Sequence, residues 1–276
     1  VDQSDPTSPP SGSVKGVIPR LVTLLRHLST ADIESSSASE LAAATEIPLQ
    51  TVVRLLGDLR EGGLVLQDTR TKRWTLGPLA LTMGAAAQRQ ISWVDLAHQS
   101  LQRLTAETKE TSILTAREGA SGTHVDIAVS PQPLRLTETV GLRRPLTTGG
   151  SRRVILAFLN PREREQVLRR LEEDGVVTNR AELERQIATI RENGYAVSRG
   201  EVTSRTVGVA VPIMHQGSAV ASIMVAGPDH RMPDSAIEWI ASVTMGEAER
   251  ISTSWGDGSQ RLAIGGAETP EPGRWL

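Results

Sequence analysis

The chain has 276 residues, 38% of them hydrophobic and 22% charged, with a formal net charge of −2. That length suits about two domains, and a charge so near zero excludes a generally basic nucleic-acid coat, so any nucleic-acid site must be local. Cysteine is absent, which excludes disulfides, a thiolate metal site and a thiol nucleophile, and no run approaches the roughly 18 apolar residues of a membrane span.

Residues 1–13 carry hardly any apolar side chains and read as a disordered N-terminus; acidic and rich in Pro and Ser, they do not resemble a signal peptide, so a cytoplasmic location is expected. Val14, Val17, Ile18, Leu21, Leu24, Leu25 and Leu28 follow at helical spacing. This stripe is wider than one small domain needs, so part of it is expected to meet a second copy of the chain. Thr30 to Ser36 reads as a polar loop. Ser37 with Glu40 forms a capping box that starts a short helix. After the turn Thr45-Glu46-Ile47, Pro48 suits the start of a further helix, which Val52, Leu55, Leu56 and Leu59 bury on one face. Gly62-Gly63 ends it. Two short strands, Leu64 to Leu66 and Arg73 to Leu76, flank a basic turn.

Helix, turn, helix and β-wing make a winged helix-turn-helix over residues 14–76. The second helix of such a motif enters the major groove N-terminus first. Leu49, Gln50, Thr51, Val53 and Arg54 lie there: Gln50 can pair with adenine, Arg54 with guanine, and the Thr51 methyl or Val53 can meet a thymine methyl. Arg70, Lys72 and Arg73 on the wing are placed for phosphates. Between Ile47 and Leu76 five basic residues stand against three acidic ones, a surplus that a dimer would double. The competing reading is a winged helix used only for protein contacts.

Residues 77–91 read as an Ala-rich linker helix. Within 92–255, an amphipathic helix ends at Thr108, strands are expected at Thr111–Ala116, Thr123–Val129 and Leu134–Thr139, and Gly149-Gly150-Ser151 leads into a short apolar helix. Asn160-Pro161, and Asn179 with Glu182, cap two more helices. Val207–Ile213 and Ala219–Val225 form a hairpin before a last helix, Pro233 to Ser252. Mostly antiparallel strands with outer helices make an α+β domain. Residues 256–276 have no period and read as a flexible tail.

The chain resembles the IclR family of transcriptional regulators over residues 14–252. The stretches that carry the likeness are Glu40-Leu41-Ala42 to Val65, Thr108 to Thr111, Val125-Asp126 with Ser130 and Pro133-Leu134-Arg135, Gly141 to Leu146, Arg191 to Ala196, and Gly208 to Ile213 with Val225 to Pro228. The resemblance implies a GAF-like effector-binding domain behind the DNA-binding domain, and a homodimer commonly paired into a homotetramer. It implies a repressor released from or re-set on operator DNA by a small molecule of a catabolic pathway. Two segments depart from the family pattern. After Pro145-Leu146 relatives usually have His, a small-residue turn and Gly-Lys-Ala; here Thr147 to Ser151 precede Arg152-Arg153-Val154. Arg205 stands where relatives commonly have Gly.

The resemblance places the effector site at Gly149, Gly150, Ser151, Ser198, Gly208, Met224 and Ala226. The N–H groups of Gly150 and Ser151 open a helix and suit an anion or carbonyl oxygen. Gly208, Met224 and Ala226 leave apolar room, so a medium-sized aromatic acid or its amide is expected. Arg152 and Arg153 either add charge there or lie solvated on the surface. Five histidines fall at unrelated spacings, and neither a His-Glu-x-x-His, a Walker loop nor a Gly-x-Ser-x-Gly is present. Asp126 reads as a local hydrogen-bond partner. No catalytic residues, metal or cofactor are therefore expected; the rival reading is an enzyme autoregulated by its own winged helix.

Overall fold

The computed structural model describes residues 16–29, 35–90 and 92–257. The segment read as a disordered N-terminus (1–13) lies outside the described residues, as does the tail read over 256–276 except for its first two residues, which continue the last helix. Contacts divide the chain into two compact units: one up to Ser92 that also takes Thr139–Leu142, and one comprising Trp93–Glu138 and the chain from Arg143.

The first unit contains α1 (Val17–Leu28), α2 (Ala38–Thr45), α3 (Leu49–Glu61), the strands β1 (Val65–Gln67) and β2 (Trp74–Leu76), and α4 (Pro78–Gln90). The capping box forms: Ser37 Oγ accepts from Glu40 N–H at 3.2 Å and Glu40 Oε2 from Ser37 N–H at 2.8 Å. Val52, Leu55, Leu56 and Leu59 are buried, and with Leu24, Leu28, Leu41, Ile47, Val65 and Trp74 they make the core. Each fully buried side chain of this kind contributes about 1.5–3 kcal/mol. Pro48 precedes the first turn of α3 as its N-cap. β1 and β2 pair antiparallel, Leu66 opposite Thr75, and Trp74 bridges to Ser36. On α1, Val17 and Ile18 remain 51% and 73% exposed, so this part of the apolar stripe is not used within the unit.

The second unit holds α5 (Ser92–Thr108), β3 (Thr111–Glu118), β4 (Ser121–Ala128), β5 (Arg143–Pro145), α6 (Gly149–Phe158), α7 (Pro161–Glu173), α8 (Arg180–Asn193), β6 (Ala196–Arg199), β7 (Thr206–His215), β8 (Ser218–Pro228) and α9 (Asp234–Asp257). The strands form one antiparallel sheet in the order β5-β4-β3-β8-β7-β6. Every residue from Val207 to Ile213 is buried, so β7 is covered on both faces. One face packs with Ile113, Ala210, Met224 and Ala226 against α6, α7 and α8; α9 also packs on β7 and β8.

Three strand assignments differ from expectation. Leu134–Thr139 is not a strand. Its carbonyls are taken by side chains instead: Thr111 Oγ1 donates to Leu136 O at 2.8 Å and Arg231 Nη2 to Leu134 O at 2.8 Å. The edges of the sheet are the short β5 and β6, which lack a legible period because three or four residues cannot show one.

Candidate functional site

Two sites take shape, one in each unit. In the first, α3 is held by its buried face, which turns Leu49, Gln50, Val53 and Arg54 to solvent with Thr51 half-buried. Leu49 and Val53 are 46% and 51% exposed, an apolar pair beside polar groups. Arg54 lies 3.7 Å from Asp58 one turn on, both well exposed. Such a pair is worth little and does not fix the guanidinium. In the wing, Asp68 Oδ1 accepts from Arg70 N–H at 3.0 Å and from Thr71 Oγ at 2.8 Å, which fixes the turn. Arg70 and Lys72 are exposed at its tip. Arg73 is not presented in the same way. Its guanidinium donates to Ser35 Oγ (2.8 Å), Ser35 O (2.7 Å) and both oxygens of Glu40 (3.2 and 2.8 Å). It braces the wing on α2, so its guanidinium is already engaged where those of Arg70 and Lys72 are exposed.

In the second unit a cavity lies between α6, the sheet and the segment 200–206. Gly149, Gly150, Ser151, Ser198, Gly208, Met224 and Ala226 all line it, and with them Arg152, His124, Leu136, Glu138 and Val202. The register explains the convergence: Ser198 pairs with Gly208, and Gly208 with Ala226, so three strands present one face. α6 enters with Gly149 and carries no side-chain cap on its N-terminus. Its first turn is tied to β8 by Ser222 Oγ, which donates to Ser151 O at 2.6 Å.

The room expected at Gly208 is already taken. A Cβ there would lie 2.9 Å from Met224 Sδ and 3.0 Å from Ser198 Oγ, closer than real side chains approach. The free space in the cavity is about 40 Å³, enough for about three waters, so an aromatic ring enters only if a wall moves. The exposed wall is the segment Gly200–Arg205, which α6 meets through the Arg153–Glu201 ion pair. Arg153 is thus turned to Glu201 and does not line the cavity. Arg205 points outward toward Asp229 and adopts φ 57, a conformation that glycine takes more easily.

The inner end was not legible in the sequence. Arg152 is 2% exposed and its Nε donates to Gly122 O at 2.9 Å. His124, also 2% exposed, lies 3.9 Å from Glu138 Oε2. A bulge between Leu114 and Thr115 sets His124 opposite Thr115 and Asp126 opposite Leu114, hence on opposite faces. Asp126 therefore meets His98 on α5, at 2.8 Å. Burial, and then Arg152 and Arg144, push the His124 imidazole down to about 3. Burial also raises the Glu138 carboxyl, against the pull of both arginines, and burial, then Arg144, lowers Arg152 to about 10.

Among the described residues no group of three or more His, Cys, Asp or Glu is placed to hold a metal, and no described helix is long and apolar enough to cross a membrane.

The family model "IclR helix-turn-helix domain" matches residues 17–69, and "Bacterial transcriptional regulator IclR C-terminal" matches residues 85–253. The chain is 31% identical over 219 residues to the HTH-type transcriptional regulator BhcR of Paracoccus denitrificans, covering 78% of each chain. It is 25% identical over 245 residues to the HTH-type transcriptional repressor AllR of Escherichia coli, covering 86% of this chain and 89% of that one. An IclR homolog from Microbacterium hydrocarbonoxydans, solved in complex with 4-hydroxybenzoate, superposes with a TM-score of 0.71 at 21% identity over 88% of this chain and all of its own.

Proposed function

Because the chain belongs to the IclR family of bacterial transcriptional regulators, we propose that it is a repressor that leaves or re-sets its operator when a small molecule enters the cavity beneath α6. The observation that carries this reading is the pairing of an exposed α3 face with a partly polar cavity in the second unit. Regulation needs both: a surface complementary to the major groove and a site whose occupancy differs between two states.

On this reading Arg54 and Gln50 read base edges, Leu49, Thr51 and Val53 pack against them, and Arg70 and Lys72 hold phosphates. The ligand's polar end meets the N–H groups of Gly150 and Ser151, and its body lies along Met224 and Ala226. Its entry displaces the Glu201–Val202 segment. The exposed Val17 and Ile18 on α1, with Leu81 78% exposed on α4, support a homodimer, commonly paired again. Nothing in the site calls for a catalytic role: His98–Asp126 lacks a nucleophile, and Glu138 faces cations rather than a water-activating partner.

The test is a gel shift on the chain's own upstream DNA, titrated with compounds of the neighbouring pathway. A compound that releases DNA without being consumed supports the reading; turnover of that compound overturns it. Ala226→Trp should bind the operator and fail to respond. A normal response from that variant would remove the cavity from the mechanism.

A further inference from the structure

α6 lines the cavity of the second unit with its first turn. Its other end meets a larger depression, a groove of about 300 Å³ between α7 and α8, at the lower bound of the volumes that hold small molecules. The floor is apolar, made by Leu168 of α7 with Ile187 and Ala188 of α8, and the walls are charged. The two ends differ in sign. At one, Arg180 is ringed by carboxylates and donates to Glu165, Glu172 and Glu184. At the other, Arg164 and Arg191 converge on a single carbonyl, Ala157 O in the last turn of α6, at 3.5 and 2.9 Å. Arg191 also lies over the Phe158 ring, 5.9 Å from its centre.

Capping α6 accounts for one of these cations and not for two. The C-terminal end of a helix carries about half an elementary charge, so a single guanidinium already exceeds it. Burial, and then Arg191 beside it, push the Arg164 guanidinium below its ordinary value, against the weaker pull of Glu184 and Glu165. The carboxylates that would relieve the pair are bound elsewhere: Glu163 to Arg117, and Glu165 and Glu184 to Arg180. Each guanidinium has five N–H donors, and Ala157 O takes one from each.

We propose that the groove between α7 and α8 is a second ligand site, for a small monocarboxylate with an apolar body, its carboxylate held between Arg164 and Arg191 and its body on Leu168, Ile187 and Ala188. A guanidinium matches the two oxygens of a carboxylate with parallel N–H donors, and an anion set between two like cations removes their repulsion. The carboxylates round Arg180 repel a second negative group at the far end, which turns away dicarboxylates and polyanions. The groove shares no lining residue with the cavity beneath the first turn of α6, so the inference does not depend on what that cavity binds.

Phe158 is the one phenylalanine of the chain, so labelling with 4-fluorophenylalanine puts a single fluorine reporter beneath Arg191 in the full chain. The probes are sodium hexanoate, hexanamide and disodium adipate, against sodium chloride at matched ionic strength. Hexanoate should shift the fluorine resonance saturably in the millimolar range. Hexanamide and chloride should leave it in place, and adipate should bind more weakly than hexanoate. Arg164→Gln should weaken hexanoate by about tenfold or more, and Arg164→Lys, which keeps the charge, should recover part of that loss. Ala226→Trp, in the other cavity, should leave the hexanoate shift unchanged. No shift with hexanoate, an equal shift with hexanamide, or adipate binding as tightly as hexanoate would overturn the proposal, and these three results need no variant. Loss of the hexanoate shift in Ala226→Trp would put the carboxylate in the cavity beneath α6 and overturn it as well.

Discussion

The two units expose their chemistry in opposite ways. The residues proposed to face DNA sit outside, on one helix and one hairpin, and the core behind them only has to hold that helix still. The residues proposed to meet the effector sit inside, on α6, four strands and a loop, and several of them are themselves part of the core. A surface site tolerates substitution of its readers without unfolding, whereas a buried one couples recognition to stability. That difference can be measured.

The largest effect should come from the support of the first site, not from its readers. Leu56 is fully buried, so Leu56→Ala should cost about 2–5 kcal/mol in denaturant unfolding and remove operator binding. A cost below 1 kcal/mol would mean that the α3 core is less tightly packed than the geometry shows. Arg54→Ala should leave stability nearly unchanged and cost about 1–3 kcal/mol at the operator, with sequence preference flattened. Intact discrimination would place the wrong face of α3 in the groove.

For the buried site the probe is pH. His124 stays near 3 in the folded chain against about 6.5 unfolded, so between those values the unfolded chain binds the extra proton. Stability is then fully present above pH ~6.5 and lost as pH falls, by about 2 kcal/mol from pH 7 to pH 5. The raised carboxyl of Glu138 works the other way, regaining stability as it protonates. Comparing wild type with His124→Gln isolates the imidazole; the variant should lose this part of the acid sensitivity. An unchanged profile would show that His124 is hydrated.

The smallest effects separate wing cations that look alike in sequence. Arg70→Ala and Lys72→Ala should weaken all DNA sequences alike and lower the salt slope by about one unit each. Arg73→Ala should instead lower thermal stability, since it loses Ser35 and Glu40, with little change in slope. A full unit of slope lost at Arg73 would mean that it leaves Glu40 on binding DNA.

Much of the first unit was legible because its signals are local. A capping box, a 3.6-residue period and a glycine pair act within one turn of chain. Ser37–Glu40 and the Val52–Leu59 stripe therefore mean the same thing in sequence and in space. The exception, Arg73, is decided by residues nearly forty positions away.

In the second unit the sequence by itself determined the long strands, the capped helices and the seven residues placed round the cavity by the family resemblance. Tertiary structure alone decided the rest. It filled the space beside Gly208 with Met224, because a missing Cβ shows that something approaches but not what. It sent His124 and Asp126 to opposite faces, because one bulged residue inverts the alternation of a strand. And it took Arg152 inside while Arg153 reached for Glu201. Adjacent arginines on a helix differ by about 100° in direction, and only the sheet beneath α6 settles which of the two is buried.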